Sequence, residues 1–166
     1  MAILALAPSR VEARPRGRYQ TQDSAQTLAE GLAEYYAANR DKVLPPEAMP
    51  PESRALFRSH DLCHVIFGLA TTLQDEAMAD TRTLLSCDIG WARYSRYLAS
   101  DPQAKAIFKQ VGYFTAVLGT LGALPRMLRA VYEARRMRQR WPWEPPAAFM
   151  ARSLADLRGE FNIRVI

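Results

Sequence analysis

The sequence has few of the residues that carry metal, redox or nucleophilic chemistry. Only two of its 166 residues are histidine, His60 and His64, and only two are cysteine, Cys63 and Cys87. It has neither a C-x-x-C pair nor a framework of spaced cysteines, so nothing favours a disulfide scaffold or an oxidising compartment. We therefore expect both cysteines to be free thiols.

Lysine is also scarce. The chain carries a formal net charge of +5, and only three of its 22 basic residues are lysine. This arginine-dominated charge favours an acidic partner, either nucleic acid or an anionic membrane surface. Because no known nucleic-acid-binding module and no interleaved stacking aromatics occur, we expect a membrane surface and no nucleic acid.

Long hydrophobic runs are absent as well. Residues 110–125 carry no charge, but 16 residues fall short of the ~20 that span a bilayer. The short apolar run in "MAILALAPSR" is not preceded by a basic residue and is followed at once by charges, the wrong order for a secretory signal. We expect a cytoplasmic protein in which residues 1–22 form a flexible basic arm.

The remaining pattern predicts an all-α protein, a single-domain helical bundle over residues 23–166. Apolar residues recur at spacings of three and four, and no segment alternates with period two. One helix is predicted from Ser24 to Ala38 and a second from Pro51 to about Leu69, with the proline-rich "LPPEAMPPES" between them as a connector.

The two histidines lie on the predicted second helix, four residues apart in "SHDLCHVIFGLATTLQDE". At this spacing His60 and His64 share one helix face and can bind the same ion. Asp61 and Cys63 lie about 80° to either side of that face, so helical periodicity cannot choose between them as a third ligand.

Glu76 reaches the histidines only if the helix is interrupted. In an unbroken helix it would lie about 24 Å along the axis from His60 and on the opposite side. Gly68 weakens the helix, and Thr71 with Gln74 forms a capping box that would start a returning helix. A returning helix would bring the Glu76 carboxylate back beside the histidines.

Spacing alone leaves two interpretations open, a metal site and a histidine pair without a ligand. The scarcity of histidine elsewhere favours the metal site. A zincin-type protease is disfavoured because Asp61, not glutamate, follows the first histidine. A phosphohydrolase of the HD type would need a further histidine upstream of His60, and none exists.

The motif resembles a known family. H-D-x-x-H followed by eleven residues and Glu, together with the "HVIFGLATT" lead into a helix break, is similar to the signature of the fourth Coq protein of ubiquinone (coenzyme Q) biosynthesis in bacterial homologues. The resemblance continues through "VGYFTAVLGTLGALPR", an arginine-rich helix and "RSLADLRGEFNI", and covers most of residues 22–166. The family commonly has proline in the turn where this chain has Ala70 and Thr71, and residues 80–103 do not align.

The resemblance implies an all-helical, metal-binding protein that acts on, or organises, prenylated aromatic intermediates at the membrane. It implies replacement of the ring carboxylate at carbon one by hydroxyl, and it favours Asp61 over Cys63 as a ligand. The implied ligands are His60, Asp61, His64 and Glu76. Zinc is the first candidate for the ion, with iron, manganese or magnesium as alternatives.

Two further segments bear on a lipid substrate. Small residues align on one helix face in the uncharged segment, where they permit either close helix packing or an apolar groove or tunnel for an isoprenoid chain. They are Gly112, Ala116, Gly119 and Ala123. After Pro125, a basic amphipathic segment ending in "WPW" is typical either of a membrane-surface element or of a solvated helix face. Its membrane-surface candidates are Arg135, Arg136, Arg138, Trp141 and Trp143.

These expectations leave two functions open. The first is a metal-dependent oxidative decarboxylase of the quinone ring, attached peripherally to the inner face of the cell membrane. The second is a non-catalytic prenyl-lipid-binding scaffold with a structural metal, which would organise other quinone-biosynthesis proteins. The expected partners are a prenylated quinone precursor or other isoprenoid lipid, an anionic membrane surface, those proteins and a second copy of the chain. A small metallohydrolase is a distant third, because no nucleophile or second carboxylate pair accompanies the motif.

Overall fold

The computed structural model describes residues 16–40, 49–100 and 113–166, together with residues 43, 47 and 105. The side chains of residue 52 and of residues 113–120 are not described. Within these residues the chain is helical and contains no strand, which confirms the all-α class. The α-helices are α1 (Leu28–Ala38), α2 (Pro51–Phe67), α3 (Leu73–Ser86), α4 (Trp91–Ser100), α5 (Tyr113–Arg136) and α6 (Leu154–Phe161). Short 3-10 helices occupy Arg18–Gln20 and Ala147–Ala151.

Helix α1 begins four residues later than predicted. Its N-cap is Thr27, whose side chain accepts a hydrogen bond from the backbone of Glu30 while the Glu30 carboxylate bonds back to Thr27. The residues before Thr27 bond instead to the start of α6: the backbone N–H of Leu154 donates to the carbonyl of Gln26, and that of Ala155 to the carbonyl of Ser24. Hydrogen bonds to a distant segment therefore exclude Ser24 and Gln26 from the helix that was predicted to start at Ser24.

The predicted break after the histidine helix is confirmed. Helix α2 ends at Gly68, which adopts the left-handed conformation with φ of 71° and caps the carbonyls of the last turn. A Cβ there would lie 2.7 Å from a methyl of Val165. The N-cap of α3 is Thr72, one residue after the predicted cap Thr71, and its side chain accepts from the backbone N–H of Asp75.

Residues 16–22, the end of the expected basic arm, lie within the described structure. Tyr19 is only 2% exposed, and its hydroxyl donates to the carbonyl of Leu69 at 3.2 Å. Residues 16–22 therefore pack on the helices, which corrects the boundary at residue 22. Residues 1–15 of the expected arm lie outside the described residues.

Each of the six α-helices named above contributes to the hydrophobic core. Each helix supplies at least one buried apolar side chain to the same cluster, among them Leu28, Leu62, Met78, Tyr94, Ala130 and Leu157. Helix α5 packs mainly on α3. It continues through Pro125, and in the part of the chain described here no helix is both long and apolar enough to cross a membrane.

The two tryptophans of "WPW" do not lie on the surface, which corrects the expectation that they face a membrane. Trp141 is 0% and Trp143 2% exposed. Helix α5 ends at Arg136, and the chain then turns into the core, where the backbone N–H of Trp141 donates to the carbonyl of Ser86. The backbone N–H of Trp143 donates to the carboxylate of Asp88 at 2.8 Å.

Candidate metal centre

The structure brings together three of the four predicted ligands. One nitrogen of His60, one of His64 and one carboxylate oxygen of Glu76 lie within 4.8 Å of one another. The His64 side chain is fully buried, whereas 18% of the His60 side chain and 42% of the Glu76 side chain are exposed. The cluster is therefore closed on the His64 side and accessible from solvent on the other.

His64 is oriented by the helix break that follows it. Its Nδ1 lies 2.8 Å from the carbonyl oxygen of Ala70, in the turn after Gly68. Since a carbonyl only accepts, Nδ1 carries a proton, and in the neutral ring Nε2 then keeps its lone pair. Buried Nε2 makes no hydrogen bond, and Glu76 Oε2 lies 3.4 Å from it. A neutral histidine held by a backbone carbonyl, with its other nitrogen turned toward a carboxylate, suits a metal ligand.

His60 lies one turn earlier on the same face. Its ring centroid is 4.8 Å from that of His64, and its Nε2 is 3.6 Å from Asp80 Oδ1. Burial alone would lower the pKa of His60, but Asp80 and Glu76 outweigh it and raise this pKa to about 10. Burial would likewise lower the pKa of His64, and the Glu76 carboxylate raises it. The negative potential at the cluster thus favours bound positive charge.

Asp61, the fourth expected ligand, does not belong to this group of three. It is 3% exposed, and its Oδ2 accepts a hydrogen bond from the hydroxyl of Tyr36 at 2.9 Å. Burial raises the pKa of Asp61 to about 6, although His60 and His64 oppose that shift. Its position to one side of the histidine face leaves Asp61 directed toward α1.

The two cysteines are buried free thiols, as expected. Their sulfur atoms lie 3.6 Å apart. Cys63 therefore packs against Cys87 and is not one of the three clustered ligands.

The predicted lipid and membrane residues have mixed positions. Gly112 lies outside the described residues, as do the side chains at positions 116 and 119, and Ala123 is completely buried. Arg135 and Arg136 are exposed at the end of α5. Arg138 donates to the carbonyls of Gly159 and Glu160, so it caps the end of α6.

One neighbour of the cluster was missed by the sequence reasoning. Asp80 lies one turn after Glu76 on α3, just as His64 lies one turn after His60 on α2. Once a returning helix is predicted, this matched spacing of four is the signal that would have placed Asp80 opposite His60.

Comparisons of the chain with protein-family profiles, with curated proteins and with solved structures each find no match. The resemblance to the Coq family therefore depends on the motif and segments quoted above. Any function for this chain has to be argued from the cluster itself.

Proposed function

We propose that this chain binds a divalent metal ion through His60, His64 and Glu76 and uses it on a prenylated aromatic carboxylate of quinone biosynthesis. The observation that carries the metal proposal is the Nε2 of His64, which is buried, makes no hydrogen bond and lies 3.4 Å from a carboxylate oxygen. Buried polar atoms without partners are rare in folded proteins, and a nitrogen beside a carboxylate suits a cation.

The ligand set favours an enzyme over a structural metal site. Structural zinc sites have four protein ligands, whereas catalytic sites have three and keep a position for water or substrate. Here three ligands cluster, and the exposed fractions of His60 and Glu76 leave that side accessible. Two nitrogens and one carboxylate suit zinc first, and also Fe(II) or Mn(II); magnesium, which prefers oxygen ligands, fits less well.

Bound at this cluster, a divalent cation supplies a Lewis acid that polarises a carboxylate or hydroxyl oxygen of the substrate. The chain's own residues hold and orient the site. Ala70 fixes the tautomer of His64, and the Tyr35 ring packs 5.2 Å from the His64 ring. The substrate class is taken from the motif resemblance, which also suggests loss of the ring carboxylate as carbon dioxide in favour of hydroxyl; this exchange is a two-electron oxidation and would need an external oxidant such as dioxygen.

The first experiment measures metal in purified protein by elemental analysis and then tests Glu76→Gln, which keeps the size of the side chain and removes its charge. Cells that depend on this variant should accumulate the carboxylated, prenylated precursor, as measured by mass spectrometry. Glu144→Gln is the matched control, because Glu144 is an exposed carboxylate paired with Arg93. Metal-free wild-type protein would refute the metal site.

The scaffold function is the second candidate. It predicts that folded, metal-free Glu76→Gln protein still binds prenylated lipid and still supports near-normal quinone formation. The two candidates therefore give opposite intermediate profiles in the same cells, once the variant is shown to be folded and present at its normal level.

We also propose that α5 contacts an anionic membrane surface. Four of its apolar side chains, spaced three and four residues apart, are between 45% and 71% exposed: Leu121, Leu124, Leu128 and Tyr132. They lie opposite Ala123 and Ala130, which are completely buried. Arg135 and Arg136 lie at the end of this apolar stripe, and the Arg136 guanidinium contacts the Tyr132 ring. Apolar side chains beside arginines match the composition of an interfacial helix.

Vesicle binding tests this surface. Wild-type protein should bind vesicles containing phosphatidylserine, more weakly as salt rises, and replacement of both Arg135 and Arg136 by Gln should weaken binding by about 1 kcal/mol per residue. Arg96→Gln on α4 is the control. Unchanged binding in the double variant would refute the proposal, as would salt-independent dimer formation through Leu128 with no vesicle binding.

A further inference from the structure

Helix α3 presents a second carboxylate, Asp80, to the histidine helix. His64 faces Glu76 at 3.4 Å, and His60 faces Asp80 at 3.6 Å. The residue numbers of each pair add to the same value, as they do when two helices run antiparallel. The antiparallel helices α2 and α3 are thus joined by two successive histidine–carboxylate contacts. The sequence motif contains both residues of the His64–Glu76 contact, but it does not contain Asp80.

Asp80 is held by a side chain from a third helix. The buried hydroxyl of Tyr94, on α4, donates a hydrogen bond to Asp80 Oδ1. This is the same oxygen that faces His60 Nε2. The Tyr94 ring is 2% exposed and packs edge-on against the ring of Trp143, with centroids 5.7 Å apart. The buried tryptophan therefore supports the tyrosine that fixes the carboxylate.

Asp80 is not one of the three residues whose ligand atoms cluster. At 3.6 Å from His60 Nε2, its oxygen is just beyond hydrogen-bond length, so a small ring movement completes the bond. Histidines that bind metals usually donate their other ring N–H to a carboxylate, carbonyl or water, which orients the ring and makes the ligand more basic. His64 has the Ala70 carbonyl in this role. For His60, the corresponding acceptor is Asp80, which faces Nε2 and so leaves Nδ1 as the nitrogen that would face the ion.

We propose that Asp80 is a positioning residue for His60 in the metal site, and that Tyr94 in turn positions Asp80. The proposal rests on the metal-binding function proposed above. It assigns a role in that site to two residues outside the H-D-x-x-H-x(11)-E motif. It also gives Trp143 a structural role behind the metal centre in place of the expected membrane contact.

Metal affinity tests this arrangement without any assay of activity. Zn²⁺ and Co²⁺ affinities would be measured by competition with a chromophoric chelator for the wild type, Asp80→Asn and Tyr94→Phe. Asp80→Asn should lower affinity about 10- to 100-fold, the usual cost of losing a partner of a metal-bound histidine. Tyr94→Phe should have a smaller effect in the same direction, because the carboxylate remains but is less firmly held.

The visible spectrum of bound Co²⁺ provides a second measurement that a purely structural role would not alter. Both variants should shift its absorption bands, because the orientation of His60 changes, whereas Glu144→Gln should leave affinity and spectrum unchanged. Circular dichroism shows whether each variant is folded. If Asp80→Asn does not fold, Tyr94→Phe decides the question.

The outcomes separate the two proposals. If wild-type protein binds neither Zn²⁺ nor Co²⁺, the metal-binding function itself is refuted. If the wild type binds both ions and the folded variants match it in affinity and in the Co²⁺ spectrum, only the role of Asp80 is overturned. If Asp80→Asn lowers metal affinity and Asp80→Glu retains part of it, the result supports a carboxylate acting on His60.

Discussion

Two buried polar clusters share helix α2, and they differ in how completely their hydrogen bonds are made. The Arg158 guanidinium, from α6, is 1% exposed and donates all of its N–H groups to backbone carbonyls. The acceptors are the carbonyls of Tyr19, Thr21, Gln22, Val65 and Ile66. One residue before Val65 on the same helix, His64 Nε2 makes no hydrogen bond and faces a carboxylate.

This difference separates a structural cluster from a binding site. Around Arg158 every donor has an acceptor, so the cluster is complete without a ligand and joins three distant segments of the chain. Around His64, the protein orients one nitrogen through Ala70 and leaves the other nitrogen directed at Glu76. We proposed a bound cation for this second cluster because the protein orients His64 without completing its hydrogen bonds, and because the surroundings are negative.

The largest effect is expected at Arg158. Arg158→Ala would leave several buried carbonyls without donors, at about 1–3 kcal/mol each, so the free energy of unfolding should fall by about 3 kcal/mol or more. Urea denaturation measures this loss. Arg152→Ala is the control, since Arg152 forms a half-exposed ion pair with Glu160 and should cost less than about 1 kcal/mol. Equal losses of unfolding free energy in the two variants would contradict a larger structural contribution from Arg158 than from Arg152.

The next effect concerns His64. His64→Ala should lower metal affinity by more than about 100-fold, because it removes a ligand and not merely a ligand's partner. Helix content by circular dichroism should remain close to that of the wild type, since the core has many other contributors. Cys63→Ala is the matched control, one residue earlier on the same helix, and should retain its metal. If His64→Ala protein still bound a stoichiometric amount of metal, His64 would not be a ligand.

A pH titration sharpens the contrast between the clusters. In the metal-free protein the carboxylates raise the pKa of His60 to about 10, so below that pH an ion must displace a proton. Metal affinity should therefore rise with pH, by about tenfold per unit for each proton displaced. Burial lowers the pKa of Arg158 only to about 10, so its cluster stays charged between about pH 6 and pH 8. Affinity that is constant over that range would show that no proton is displaced.

The smallest effect is expected at Asp61. Because its carboxylate bonds to Tyr36 and lies outside the group of three, Asp61→Asn should lower metal affinity by less than about tenfold. The same chelator competition measures it beside His64→Ala. A loss as large as that of His64→Ala would instead make Asp61 a ligand, in agreement with the family motif.

The sequence predicted the centre of the site better than its surroundings. The spacing of His60 and His64 and the stop at Gly68 are local signals, and the structure confirms that Glu76 returns beside them. The surroundings of Asp61 could not be predicted, because a choice between two sides of a helix depends on what packs there. Tyr36 occupies the side of Asp61, and Tyr94 holds Asp80 near His60.

Local periodicity and glycine chemistry by themselves determined that this protein is helical, that its two histidines share one face, and that the chain turns back after them. Tertiary structure alone decided the role of the groups around that face. It buried Trp141 and Trp143, started α1 at Thr27 and turned Asp61 away from the histidines. The physical reason is that each of these outcomes depends on hydrogen bonds or packing between segments far apart in the chain, and a local pattern carries no information about such partners.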